Sequence, residues 1–411
     1  MQHGPALPAF RALVARLADR GGAASSATPR GHGPRADGPP PARLDIAVCE
    51  GGSEAAAQAR IRLHGRRLAR QDRWDQLARA LREADQGRAR TPGAVPMARL
   101  LAEGAAADAL EAALAAADRA DVARARGILQ VLEQAMEGLT GDPWLAALLA
   151  QAHLAMARVW QGRPGAPDPT PARREARAQH LDAAARLVAP FEPLELDSPL
   201  LAALRCALLD RAARPGARVA DDYEDLIDLD PGSPEHMRAL GRDLHPARFG
   251  SWRRLDLEAR RYAQRTADLW GAGGYVWVWM DVLAGDSRGF AHVEAELFSE
   301  GLHDILARRD GQHMANLLAA YCGLTLSGAA GPGTARARIT GALGWILRDH
   351  LREIHPELWA EARPGAGSGD TALRRGKVRA LSVLAEHFAA DLRRGHRVVI
   401  SAQGLEIRAA G

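Results

Sequence analysis

Histidine and aspartate stand side by side at His303 and Asp304, within GLHDILARRDGQH. A neutral imidazole nitrogen and a carboxylate oxygen are both good ligands for a divalent metal, so this pair is a place where the chain could do chemistry. Two further histidines, His236 and His313, each stand before a methionine in matching contexts. Packed helices lie ~10 Å apart, and stacked repeats would hold these two about 20 Å from each other, so they are expected to cap or line helices. His350 and His355 straddle a helix end before Pro356 and are expected to be exposed. Cys49, Cys206 and Cys322 are far apart, with no C-x-x-C spacing, and their odd number prevents complete internal pairing. They read as small hydrophobes in a reducing compartment. No G-x-S-x-G elbow is present. The glycines of WGAGGYVWVWMDVLAGD, Trp270 to Asp286, lack the preceding strand and the Lys-Ser/Thr pair of a phosphate loop. No catalytic residue is assigned, and no cofactor is implied.

Charge narrows the partners. Arginine supplies nearly all the positive charge, Lys377 being the only lysine, a bias that fits a GC-rich genome. The net charge of +4 is small for 411 residues and gives no strong overall pull on nucleic acid. Residues 1–100 nevertheless hold 17 arginines against 9 acids, with clusters at Arg60–Arg73 and Trp252–Arg265. Nucleic-acid binding is therefore an alternative reading, although Trp74 and Trp252 sit at helix starts where they can pack as core. The acidic run DDYEDLIDLD, Asp221 to Asp230, is read as a solvated helix face over a buried side of Tyr223, Leu226, Ile227 and Leu229.

The elements that must position these groups are mostly helical. Apolar residues make up 47% of the chain, enough for a core, and they recur three or four apart. Three Gly/Pro-rich segments interrupt them, at residues 21–42, 161–171 and 363–370. Near the end, HRVVISAQGLEIRA predicts a hairpin turning at Gln403-Gly404. No stretch is apolar for long enough to span a bilayer. The first 22 residues read as a short amphipathic helix rather than a signal peptide, so a cytoplasmic location without membrane partners is expected.

An internal repeat organises the middle of the chain. PWLAALLAQ, PLLAALRCA, EHMRALGRD and QHMANLLAA share an apolar residue followed by leucine three later. These anchors are Leu145/Leu148, Leu201/Leu204, Met237/Leu240 and Met314/Leu317, and Val276/Trp279 fits the same frame. The steps between first anchors are 56, 36, 39 and 38 residues, and the long one contains the proline-rich insertion. A turn rich in Asp, Ser, Pro or Gly precedes each, as helix N-termini require. Gly271 to Gly274 are then a tight turn between helices, with Trp270 ending one and Tyr275 to Leu283 beginning the next.

These units resemble tetratricopeptide-type repeats. Met237, Leu240, Gly241 and Leu244 are similar to that repeat's first helix, and LDPGSP to its inter-repeat turn. The periods here are longer, and the small and aromatic second-helix positions do not line up. Leu244–Arg261 is similar to a Pro-x-Arg-aromatic-Gly-Ser stretch of tetratricopeptide-like bacterial proteins, some of them in a domain family of unknown function. The resemblance covers about Ala120 to Leu326 and implies a fold, not an activity. His303-Asp304 in turn resembles the core of the HD-type metal-dependent phosphohydrolases, which are also all-helical. That resemblance implies an upstream histidine ligand, His245 or His292 here, and a downstream Asp349. The Gly and Lys that usually follow the pair are here Leu306 and Ala307.

The expected fold is all-α: a stack of antiparallel helix pairs (an α-solenoid) with a short C-terminal β-hairpin. An N-terminal helix and flexible linker occupy 1–42, a helical module 43–119, the repeats 120–362, and a C-terminal helix and hairpin cap 363–411. Such stacks offer a concave groove for a peptide or a partner's helix. Tyr275, Trp279, His313 and Asn316 lie on or near the inner helices, and Arg248, Trp252 and Arg254 are of the types that carry interface energy. Core packing is the competing role for each, above all for the tryptophans. The expected function is a non-catalytic protein-interaction scaffold, with an HD-type phosphohydrolase and a nucleic-acid-binding protein as alternatives.

Overall fold

The computed structural model describes residues 43–119, 121–161, 168–363 and 369–409. The expected N-terminal helix and linker over residues 1–42 lie outside the described residues. So do residues 162–167 and 364–368 of the other two Gly/Pro-rich segments.

Strand β1 spans Leu44–Val48. The helices that follow are α1 (Ser53–Arg70), α2 (Trp74–Gln86), α3 (Met97–Asp118), α4 (Val122–Ala135), α5 (Pro143–Gln161), α6 (Pro171–Val188), α7 (Pro199–Ala207), α8 (Pro215–Leu229) and α9 (Pro234–Asp243). After them come α10 (Trp252–Arg265), the one-turn α11 (Ala267–Trp270), α12 (Gly273–Gly285), α13 (Ala295–Arg308), α14 (Gln312–Ala320), α15 (Ala335–Gly341) and α16 (Leu343–Trp345). The two-residue β2 (Glu353–Ile354), α17 (Pro356–Glu361), α18 (Asp370–His387), α19 (Ala389–Arg393), β3 (Arg397–Ser401) and β4 (Gly404–Arg408) complete the chain. Local chemistry starts many of these helices. Asp121, Thr170, Ser198, Ser251 and Thr334 each accept a hydrogen bond from the backbone N–H three residues on, and proline opens α6, α7, α8 and α17.

The chain forms two compact units. Residues 57–236 make the first. There α5 packs along α6, α3 against α4 and α5, and α7 against α8. Asp85 of α2, almost fully buried, ties several of these elements together. Its carboxylate accepts from the Trp144 indole at 3.0 Å, from the Leu200 N–H at 2.9 Å and from the Ser198 hydroxyl. A carboxylate buried at this depth is tolerated because its oxygens are hydrogen-bonded.

The second unit contains residues 43–56 and 237–409. In it α12 lies between α10 and α13, and α17 packs on α18. A four-stranded sheet in the order β2-β1-β3-β4 completes this unit. The hairpin β3–β4 is antiparallel, and β1 runs parallel to both β2 and β3. The chain is therefore mostly helical but not all-α. The C-terminal strand pair matches expectation, whereas β1 and β2 were not foreseen. LDIAV is too short and too soon after a proline-rich run to signal a strand, and two residues of β2 signal nothing by themselves.

The anchors open every second helix, counting α11 with α10. Leu145 and Leu148 lie in α5, Leu201 and Leu204 in α7, Met237 and Leu240 in α9, Val276 and Trp279 in α12, and Met314 and Leu317 in α14. In each case the first anchor is the third or fourth residue of its helix. All are buried except Leu317, which is half-buried.

Candidate functional site

Among the described residues one group of histidine, cysteine and carboxylate side chains converges closely enough to share an ion: Cys49, Glu353 and His355. Their ligand atoms all lie within 4.8 Å of one another. The backbone explains the convergence. Ala47 is level with Glu353 and Val48 with Ile354 in the parallel β1–β2 pair, so Cys49 and His355 follow one step later. The Cys49 N–H donates to the Ile354 carbonyl at 2.8 Å and fixes that register. Alternation along β2 sends Glu353 and His355 to the same side. The His355 Nε2 lies 2.9 Å from a Glu353 carboxylate oxygen.

Neighbouring elements hold this group in place. Asn316 of α14 is fully buried and uses its whole amide. Its Nδ2 donates to the Gln312 and Glu353 carbonyls at 2.8 and 2.9 Å, and its Oδ1 accepts from the His355 backbone N–H and the Trp359 indole, both at 2.9 Å. One turn earlier, the Gln312 carboxamide oxygen accepts from the Arg352 and Glu353 N–H groups. On the other side the chain turns through Gly51 and Gly52 into α1. The Gly51 N–H donates to Glu357 at 2.7 Å, and a β-carbon on Gly52 would touch the His355 ring at 3.4 Å. Burial, followed by the Glu353 and Glu357 carboxylates, pushes the Cys49 thiol up. Burial lowers nearby His313, opposed by Glu54 and Glu357.

His355 is thus only 6% exposed: it stands between the end of β2 and the first residue of α17, at a helix end as expected, but buried rather than exposed. The mistake has a clear cause: Glu-Ile-His carries the period of a strand, but two residues of strand are too few to read against the helices on either side.

The residues expected to line a groove divide by exposure. Tyr275 and Trp279 have no exposed surface and belong to the core of the second unit. The Tyr275 hydroxyl donates to Asp256 and accepts from the Glu294 N–H. Asn316 is the buried tie just described. His313 is half-buried near Glu54 and Glu357. Trp252 is half-buried at the start of α10, stacked between exposed His292 and buried Trp279, with ring centroids 5.1 and 6.2 Å away and the His245 ring edge-on at 5.0 Å. Arg248 is exposed, pairs with Asp243 at 2.9 Å and lies over the Phe249 ring, while Arg254 is half-buried.

His303 and Asp304 serve two separate purposes. The exposed His303 ring stacks on Trp345 at 3.7 Å. Asp304 accepts from the Ala272 N–H at 2.7 Å, capping the start of α12 from a neighbouring helix, and pairs with Arg308. Gly271 makes this possible. Its φ of +58° suits glycine, and a β-carbon there would lie 2.1 Å from the Asp304 carboxylate. His245 pairs instead with Asp286 at 3.1 Å. The ligands that the HD-type resemblance implies do not gather.

The arginine cluster of α1 also has internal work. Arg62 pairs with Glu103, Arg66 with Asp108 and Glu111, and Arg70 with Asp108, all across to α3. In the acidic run Asp221, Asp225 and Asp228 are exposed and Asp222 and Glu224 half-buried, over buried Tyr223, Leu226 and Ile227, but Leu229 is only half-buried. Asp230 is buried against Arg90 and His236. Among the described residues no helix is long and apolar enough to cross a membrane. In comparisons with known proteins, the chain matches no family model, no curated protein and no solved structure.

Proposed function

We propose that the chain is a non-catalytic interaction scaffold built from tetratricopeptide-like helix pairs in a solenoid arrangement, which binds a peptide or a partner's helix. One observation carries this reading: the apolar anchors recur at the third or fourth residue of every second helix from α5 to α14. A unit that hides its apolar face only against its neighbours is what such a register describes. Gly241 adds to it. A β-carbon there would lie 1.8 Å from the Val278 carbonyl of α12, so the glycine of the resembling first-helix pattern sits where α9 meets the backbone of α12.

Within the second unit, the exposed flank of α10 is the best docking surface. On this helix Trp252 is half-buried at the start, Arg253 is exposed and Leu257, one turn on from Arg253, is 62% exposed, while exposed Arg248 lies in the loop before it. Arginine one turn from an exposed aliphatic side chain, with a half-buried tryptophan at the helix start, supplies residue types common in interface hot spots. The test is affinity purification of the full chain from its native cell, with mass spectrometry, in parallel with a Trp252→Ala/Leu257→Glu double variant. The intact chain should retain a stoichiometric protein partner and the variant should lose it while keeping its helical circular dichroism. A chain that retains no partner would remove the scaffold reading, and a partner kept equally by both would move the surface elsewhere.

A further inference from the structure

We propose that Cys49, Glu353 and His355 form a binding site for a divalent metal of the zinc class, held at the carboxyl ends of β1 and β2. This is independent of the scaffold reading. The donor set argues for the type of ion. Thiolate, imidazole and carboxylate together suit Zn(II), whereas Mg(II) and Ca(II) prefer oxygen alone. The spacing fits as well. Zinc bonds of about 2.0–2.3 Å in a tetrahedron put ligand atoms roughly 3.3–3.6 Å apart. The three atoms here already lie within 4.8 Å of one another, a difference that rotation of the half-exposed Cys49 and Glu353 side chains can close.

The surroundings are those of a metal site in two respects. First, the least mobile ligand is locked: His355 is buried, its backbone N–H is held by Asn316 and its ring rests against Gly52. Second, the charge is wrong for the obvious rival, a cysteine nucleophile activated by histidine. A reactive thiolate needs a positive environment. Cys49 instead stands beside the Glu353 carboxylate, with Glu357 bonded to the nearby Gly51 N–H, negative neighbours that a divalent cation would offset. Metal binding would replace the thiol proton, which leaves to solvent as the sulfur–metal bond forms. Three protein ligands leave a fourth position, which solvent can reach past the half-exposed Cys49 and Glu353. Ligation would also clasp β2 to β1, a strand drawn from the opposite end of the chain.

The experiment uses the full chain, stripped with a chelator. Zinc chloride is titrated by calorimetry, and cobalt(II) is followed by absorption. One equivalent of Zn(II) should bind, and Co(II) should give a thiolate-to-metal charge-transfer band in the near ultraviolet. Cys49→Ser should abolish the band and weaken zinc binding at least about tenfold, and Glu353→Gln should weaken it to a similar degree. Cys206→Ser, whose thiol lies in the first unit, should change neither. Cys49 and Glu353 are not core residues, so both variants should fold, and their helical circular dichroism checks this. A folded chain that takes up no stoichiometric zinc overturns the proposal, as does zinc binding that survives both substitutions unchanged.

Discussion

His236, expected to cap or line a helix, shows what burial does to a single side chain. It is buried beside Asp230 at 3.1 Å, yet Arg90 already pairs with that carboxylate. Burial therefore prevails and pulls the imidazole from 6.5 down to about 4. A histidine whose folded pKa is depressed gives stability that is fully present above pH 6.5. That stability is lost as the pH falls, because the unfolded chain takes up the proton first. At 1.36 kcal/mol per unit, the loss between pH 6.5 and 4 is on the order of 3 kcal/mol. Urea unfolding across that range should show this decline, and His236→Gln should flatten it by a similar amount. An unchanged slope in the variant would assign the decline to carboxylates such as Asp108, which Arg70 and Arg66 hold below the usual carboxylate range.

At the scale of elements, the α1–α3 crossing depends on having no side chain at two positions. A β-carbon on Gly65 would lie 2.1 Å from the Leu101 carbonyl, and one on Gly104 would lie 2.0 Å from the Arg62 carbonyl. The helices meet backbone to backbone, and the ion pairs of Arg62, Arg66 and Arg70 flank the contact. Two effects compete in Gly104→Ala. Helix propensity favours alanine by about 1 kcal/mol. Separating two packed helices costs about 1–3 kcal/mol, and a backbone carbonyl cannot swing aside as a side chain can. The clash should win, lowering stability by roughly 1 kcal/mol or more in denaturant unfolding. Gly127→Ala, where a β-carbon meets nothing within 4 Å, should instead be neutral or stabilising. Helix periodicity and caps were legible here because they are local: Ser198 announces α7 outright, whereas Thr170, the cap of α6, is hidden in a proline-rich segment. The crossing glycines were not, since a glycine inside a helical pattern looks like a defect until its partner backbone is known. His303 and Asp304 failed for the same reason. Adjacent in sequence, they face different neighbours, and Asp304 is explained by a turn more than thirty residues away.

At the scale of the whole molecule, the part of the architecture hidden from sequence is the part that joins distant segments. Cys49 and His355 are more than three hundred residues apart, and no local period relates them. Only the parallel β1–β2 register brings them level. β1 is also the central connection of its sheet, with β2 on one side and β3 on the other, Ile46 standing opposite Ile400. The second unit therefore needs a strand that is made first and paired last, a non-local closure of the kind that slows folding. Ile46→Pro tests how much rests on it. Proline removes one ladder donor and cannot be accommodated in a strand paired on both sides. Helical circular dichroism should change little, because most helices contribute nothing to the sheet. The β3 amides that face β1, Val398 (which donates to the Arg43 carbonyl) and Ile400 two residues on, should lose protection from hydrogen exchange by at least about tenfold, the equivalent of ~1.4 kcal/mol. Zinc affinity should fall with them, because Cys49 loses the register that holds it beside His355. If β3 kept its protection while zinc affinity dropped, β1 would be positioning the metal ligands without stabilising the sheet, and the two roles assigned to this strand would be separable.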